Sequence, residues 1–189
     1  MKGKTQKSKI SLLYFSHSSY ICSQNNQSEK IMEKVTTIAS YIYQRYQQDY
    51  GKRMDEMKLH KLLYFVQREA IIQTDEPMFK EQFEAWKYGP VMVEIRRMYK
   101  DGCLTEKLPQ TYIEKYKSVF DMVFSTYAQK DSWSLSSITH GEYSWGQARK
   151  GIHEDENCDK LIDTDDIRKD AERVKIRRFL YKKLNCPTV

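Results

Sequence analysis

The stretch Glu56–Ile72 constrains the fold more than any other part of this chain. Leu59, Leu62, Leu63, Val66 and Ala70 recur at three- and four-residue intervals, the spacing of one face of an α-helix. Further apolar residues fall off that stripe, so the segment is apolar on more than one face. A helix clothed in this way has to be surrounded, which places it at the centre of a helical assembly. Asp55 stands where a side chain can accept from the free N–H groups of the first turn.

The flanking segments supply partners for such a centre. Val35, Ile38, Ala39, Ile42, Tyr46 and Tyr50 predict a helix from about Glu29 to Tyr50, with Ser28 as its cap and Gly51 as its left-handed terminator. The alternation of Phe83 and Ala85 with polar neighbours across 81–86 is a short strand signal. Gly89-Pro90 reads as the opening of a short helix, since proline at a first helical position forfeits no needed N–H. Val91, Ile95 and Met98 then face inward, and Asp101-Gly102 closes the turn. A long helix follows from Thr111, where Thr111 and Glu114 have the spacing of a capping box. A short helix covers about Ser134–Thr139, and residues 140–163 read as a long loop. The last helix begins at Thr164, with acids in its first turn and Lys182 and Lys183 in its last, and buries Ile167, Ala171, Val174, Leu180 and Leu184. The expected architecture is mainly α: a compact single-domain helical bundle with one short β element. Its domain spans 28–189, preceded by a flexible basic extension over 1–27. Met32, which opens the first periodic segment, is a candidate for the true start.

With 40% hydrophobic and 31% charged residues, the chain can bury a core and is not disordered as a whole. The excess of positive charge sits at the ends. Residues 1–30 hold five lysines against one acid, and residues 164–189 hold eight basic side chains against four acids. Basic ends suit an acidic partner, nucleic acid or simply water. Cys22, Cys103, Cys158 and Cys186 are scattered without a CxxC pair and read as reduced thiols, which fits a cytoplasmic protein. The apolar run Ile10–Phe15 is shorter than a signal-peptide core, and no run approaches the length of a membrane span.

No catalytic constellation stands out. HExxH, P-loop and GxSxG motifs are absent from the sequence. His140 and Glu142 form an HxE pair, but the PCxxC half of a zinc deaminase is missing. With His153 and Glu154 they offer metal-ligating types without a ligand pattern. The expectation is no catalytic residue, no metal and no cofactor, with Thr139 or His140 bonding the local backbone where a short helix ends.

Three blocks, in this order and spacing, resemble the SocA-like Panacea domain of bacterial and prophage toxin–antitoxin pairs. They are Met57-Lys58-Leu59-His60-Lys61-Leu62-Leu63-Tyr64-Phe65, then Glu84-Ala85-Trp86-Lys87-Tyr88-Gly89-Pro90-Val91, then Leu135-Ser136-Ser137-Ile138-Thr139-His140 with Trp145 after it. The resemblance covers about Met32 to Arg149. It departs at His60, where the family pattern calls for glutamine, and it does not reach the N-terminal extension or the basic last helix. It implies an antitoxin that neutralises a cognate protein toxin by direct protein–protein binding, and for some members an adaptor role toward a Clp-type protease. Lys61, Trp86, Lys87, Tyr88, Thr139 and His140 are the partner-binding candidates. Each has a structural reading beside the functional one. Lys61 lays its stem over the core or presents its charge, while Trp86 and Tyr88 anchor a turn or form an exposed hot spot. The alternative is a nucleic-acid-binding autorepressor that uses the last helix, where Lys169, Arg173 and Arg177 lie four apart but Asp170 and Glu172 intervene.

Overall fold

A computed structural model of the chain describes residues 32–184. The proposed extension over 1–27, the Ser28 cap, Cys22 and Cys186 lie outside the described residues. Helix α2 (Glu56–Thr74) runs through the middle, and fifteen consecutive residues from Lys58 to Ile72 are buried. Against it pack α1 (Val35–Tyr50), α3 (Val93–Asp101), α5 (Lys117–Val123), α6 (Ser132–His140) and α8 (Thr164–Lys183), while α4 (Gln110–Lys115) packs on α5 and α7 (Tyr143–Ala148) on α6 and α8. A two-stranded hairpin of β1 (Glu84–Trp86) and β2 (Gly89–Val91) is the β element of this compact, mainly α fold.

A helix buried all round needs a partner for every polar group it carries, and α2 carries six such residues. Gln67 fastens the segment after the helix, donating to Phe79 O at 2.8 Å and accepting from Met78 N at 2.8 Å. Arg68 pairs with Glu142 and donates to the Tyr127 hydroxyl at 2.8 Å. Glu69 receives both arms of Arg178 from α8, at 2.9 and 2.8 Å. Lys58 donates to Ala128 O at 3.2 Å and Tyr46 Oη at 3.3 Å. The remaining two, His60 and Lys61, belong to the candidate site. Asp55 caps the helix as expected, accepting from Lys58 N at 2.9 Å.

Several local expectations are corrected. Gly89-Pro90 does not open a helix. Both residues lie in β2, with Trp86 opposite Gly89 and Ala85 opposite Pro90, and α3 starts only at Val93. The fixed φ of proline serves an edge strand as well as a helix start, and the two-residue turn Lys87–Tyr88 settles the matter. Thr111 forms no capping box. The helix starts at Gln110 with Pro109 at the cap position, it breaks at Tyr116, and α5 runs on into a π-turn over Phe124–Ala128. The first helix starts at Val35, not near Glu29, and Lys34 at its cap position makes no side-chain bond.

Residues 140–163 are not a plain loop. They contain α7, whose N-terminus is capped from another helix: Asp170 of α8 accepts from Tyr143 N at 2.7 Å and from Ser144 N at 2.9 Å. Tyr64 of α2 donates to the same carboxylate at 3.1 Å. Leu161 bridges to Glu84, and the buried Arg149 draws the rest of the segment in by donating to Ala85 O, His153 O and Glu156 O. On α8, Ile167 and Ala171 are buried as expected, but Leu180 and Leu184 are exposed.

Candidate functional site

The hairpin lies against α2 and α6 through the absence of a side chain. Gly89 has φ +100°, and a Cβ there would lie 2.5 Å from Thr139 Oγ1 and 2.8 Å from both Cε and Nζ of Lys61. Glycine is required twice over, by conformation and by space. Lys61 Nζ donates to Pro90 O at 3.2 Å. Ser136 donates to Tyr88 O at 3.0 Å, and Thr139 donates to Ser136 O at 2.9 Å. Trp145 donates its indole N–H to Trp86 O at 2.9 Å, and its ring stacks on His140 with centroids 4.2 Å apart. The three sequence blocks therefore meet around one turn.

Lys61 neither lays its charge into water nor presents it at the surface. It is 1% exposed, and burial lowers its ammonium pKa to about 7. Thr139 is fully buried and helps seat Gly89. His140 is exposed at the end of α6, and its pKa is lowered by partial burial and by Lys61. Glu142, its HxE companion, turns to Arg68 instead, and burial pushes its carboxyl up to about 7 against the pull of that guanidinium. Among the described residues no group of three or more His, Cys, Asp or Glu could hold a metal.

Trp86 is half-buried. Its indole donates to Glu84 Oε2 at 2.6 Å, and the Arg96 guanidinium lies 4.9 Å from its ring centre. The turn itself faces outward. Lys87 pairs with Asp155 at 2.8 Å, and Tyr88 is 45% exposed. Tyr88 meets Trp133 edge to face at 5.5 Å, and Trp133 is 62% exposed. Two large aromatics standing in water on adjacent elements are the kind of surface that binding partners desolvate. Trp133 was not among the candidates read from the sequence. The signal available was its place in the first turn of a helix capped by Asp131, which turns it away from the buried side.

Beside Trp86 and Tyr88 opens a cavity of about 370 Å³, with Lys61, His60, Arg96 and Glu56 in its wall. His60, the position that departs from the family pattern, is 1% exposed. Its Nδ1 accepts from Met92 N at 3.4 Å, which leaves the ring proton on Nε2, and Nε2 has no partner among the described residues. Burial, then Lys61 and Arg96, depress its pKa to about 3, so the ring is neutral.

Residues 59–146, just under half of the chain, match the family model described as Antitoxin SocA-like, Panacea domain. Residues 59–146 are similar to a Panacea domain. The match runs from α2 through the hairpin to α7 and contains every candidate side chain above except Glu56. No curated protein and no solved structure matches the chain. The similarity of this segment points to an antitoxin role, and so to a toxin as partner in general. No helix among the described residues is long and apolar enough to cross a membrane.

Proposed function

We propose that this protein silences a cognate protein toxin by occupancy, with the turn Trp86-Lys87-Tyr88 and the neighbouring Trp133 at the centre of the interface. The observation that carries the reading is the exposed Tyr88–Trp133 pair, held on a rigid seam of the Panacea domain. An aromatic anchor that becomes desolvated in a partner's pocket contributes roughly 2–4 kcal/mol to binding. His140 adds a polar edge to that face, while Lys61 and Thr139 position the hairpin from beneath. An adaptor role toward a Clp-type protease would use the same complex as its cargo.

Binding of nucleic acid through α8 is the weaker reading. Half of its eight cations are engaged in ion pairs: Arg168 with Asp165, Lys169 with Asp166, Lys175 with Asp75 and Arg178 with Glu69. Side chains held in ion pairs have less to offer a phosphate backbone. Co-expression with the protein encoded in the adjacent reading frame, followed by pull-down, tests the reading. A stable complex that depends on Tyr88 and Trp133 is expected, and a protein that protects cells without binding its neighbour would refute it.

A further inference from the structure

The cavity beside Trp86 has an unbalanced inventory of polar groups. Besides the Asn157 amide, which is both donor and acceptor, four cations or donors reach it, from Lys61, His60, Arg96 and Lys87. Two of these are already matched, Arg96 by Glu56 at 2.8 Å and Lys87 by Asp155 at 2.8 Å. The other two are not. Lys61 is buried with a backbone carbonyl as its one hydrogen-bond partner and no carboxylate in contact among the described residues. His60 carries a buried N–H on Nε2 that has no acceptor among the described residues. Buried donors are nearly always satisfied, and a buried ammonium is nearly always paired with an anion. What is left over is donors, so the missing group is an acceptor, and beside a lysine the fitting acceptor is negatively charged. The Trp86 and Tyr88 rings supply an apolar wall next to it.

We infer that this cavity seats a carboxylate attached to an apolar group, and that the carboxylate is an acidic side chain of the toxin inserted beside Lys61 and His60. This rests on the occupancy reading, which supplies the partner and places Trp86 and Tyr88 in the interface. The carboxylate takes hydrogen bonds from Lys61 Nζ and the His60 Nε2–H. The adjoining apolar residue covers the indole of Trp86.

The acid–base state of Lys61 gives the pocket a signature. In the empty protein burial holds this ammonium near pKa 7, so about half the amines are neutral at that pH. The groups around it offer no compensation. His60 is neutral, Arg96 is already spoken for by Glu56, and His140 across the hairpin is depressed by partial burial and then by the same lysine. A carboxylate raises the Lys61 pKa, so its arrival takes up a proton. Affinity then falls by up to about tenfold for each pH unit above 7, until the pKa of the bound form is reached.

The test uses the full chain with ¹³Cε-labelled lysine and three probes: the peptides Ac-Leu-Glu-Phe-NH₂ and Ac-Leu-Gln-Phe-NH₂, and free phenylacetate. Saturable shifts of the Lys61 Cε signal with the Glu peptide, at least tenfold weaker with the Gln peptide, are expected. Phenylacetate separates a side chain from any small acid: tighter binding of phenylacetate than of the Glu peptide overturns the assignment to a toxin side chain. The Lys61→Met variant removes the cation while keeping an unbranched apolar stem; its binding, followed beside the parent's by isothermal titration calorimetry, should weaken for the Glu peptide by tenfold or more. Equal binding of the Glu and Gln peptides, or no shift with any probe, or unchanged binding by folded Lys61→Met, overturns the inference. The occupancy reading has its own test. If Lys61→Met still captures the toxin with parental affinity, the pocket is wrong and the reading stands; if the parent protein captures no toxin, the reading falls.

Discussion

Trp145 donates its indole N–H to the carbonyl oxygen of Trp86 at 2.9 Å, joining α7 to the hairpin across 59 residues of sequence. The same indole stacks on His140 at 4.2 Å and lies 5.2 Å from the Arg149 guanidinium. The outward turn that carries Lys87 and Tyr88 is therefore braced from one side by Trp145 and from the other by Gly89 against Lys61 and Thr139. Trp145→Phe keeps most of the ring and removes the donor, so Trp86 O loses its one indole partner. The expected cost is about 1–2 kcal/mol, read as a lower urea midpoint at unchanged slope.

Gly89→Ala combines a left-handed backbone with a clash against Thr139 and Lys61. The expected destabilisation is roughly 2–4 kcal/mol. Gly151 has φ +81° but open space around it, so Gly151→Ala carries only the conformational penalty and should cost less. Denaturant unfolding of the two variants side by side checks the order. An equal loss in both would mean that the close packing at Gly89 contributes nothing.

Asp170 accepts from two backbone N–H groups of α7 and from the Tyr64 hydroxyl, and it is 1% exposed. Asp170→Ala leaves the two α7 N–H groups without their acceptor and leaves the Tyr64 hydroxyl only Ser144 Oγ, at 2.9 Å. The expected loss is about 3 kcal/mol or more, with the α7 amides the first to gain hydrogen exchange. Asp170→Asn keeps one acceptor oxygen and should fall between parent and Ala.

Lys61 also sets a pH dependence of stability. Its pKa is about 7 in the folded protein and 10.5 when unfolded. The unfolded chain therefore binds the proton more tightly, and the charge opposes folding. This opposition is fully present below pH 7, fades between pH 7 and 10.5, and is gone above. In the Lys61→Met variant it vanishes at every pH. The variant is expected to be more stable than the parent at pH 7, with the gap narrowing by up to about 1.4 kcal/mol per unit toward pH 9. A constant gap across that range would show that Lys61 titrates normally in the fold.

What could be read from the sequence follows from where each instruction is stored. The central helix was legible because its burial on all sides demands apolar residues within one short window, and Asp55 caps it from its own chain neighbourhood. Helix α7 was not legible, because its cap is Asp170, more than twenty residues downstream on another helix. Gly89-Pro90 suits a helix start and an edge strand equally, and only the pairing with Ala85 and Trp86 distinguishes them. Leu180 and Leu184 follow helical spacing, yet nothing local says that they stay exposed. At the candidate site the three blocks carried Lys61, Trp86, Tyr88 and Thr139 to one place, but the roles of Lys61 and Thr139 are buried ones. His60 and Arg96 join the site through tertiary packing that no spacing announces.

The measurement that bears most directly on the account is a titration of the toxin with this protein in a reconstituted assay of toxin activity, without protease or ATP. Silencing by occupancy predicts that protection ends where toxin begins to exceed antitoxin, at about one molecule per molecule. It also predicts that Tyr88→Ala and Trp133→Ala, shown to be folded by circular dichroism, weaken binding by roughly 30- to 1,000-fold, since each 1.4 kcal/mol is a factor of ten. Full protection at one part of protein to a hundred of toxin, or parental affinity in both folded variants, would contradict it.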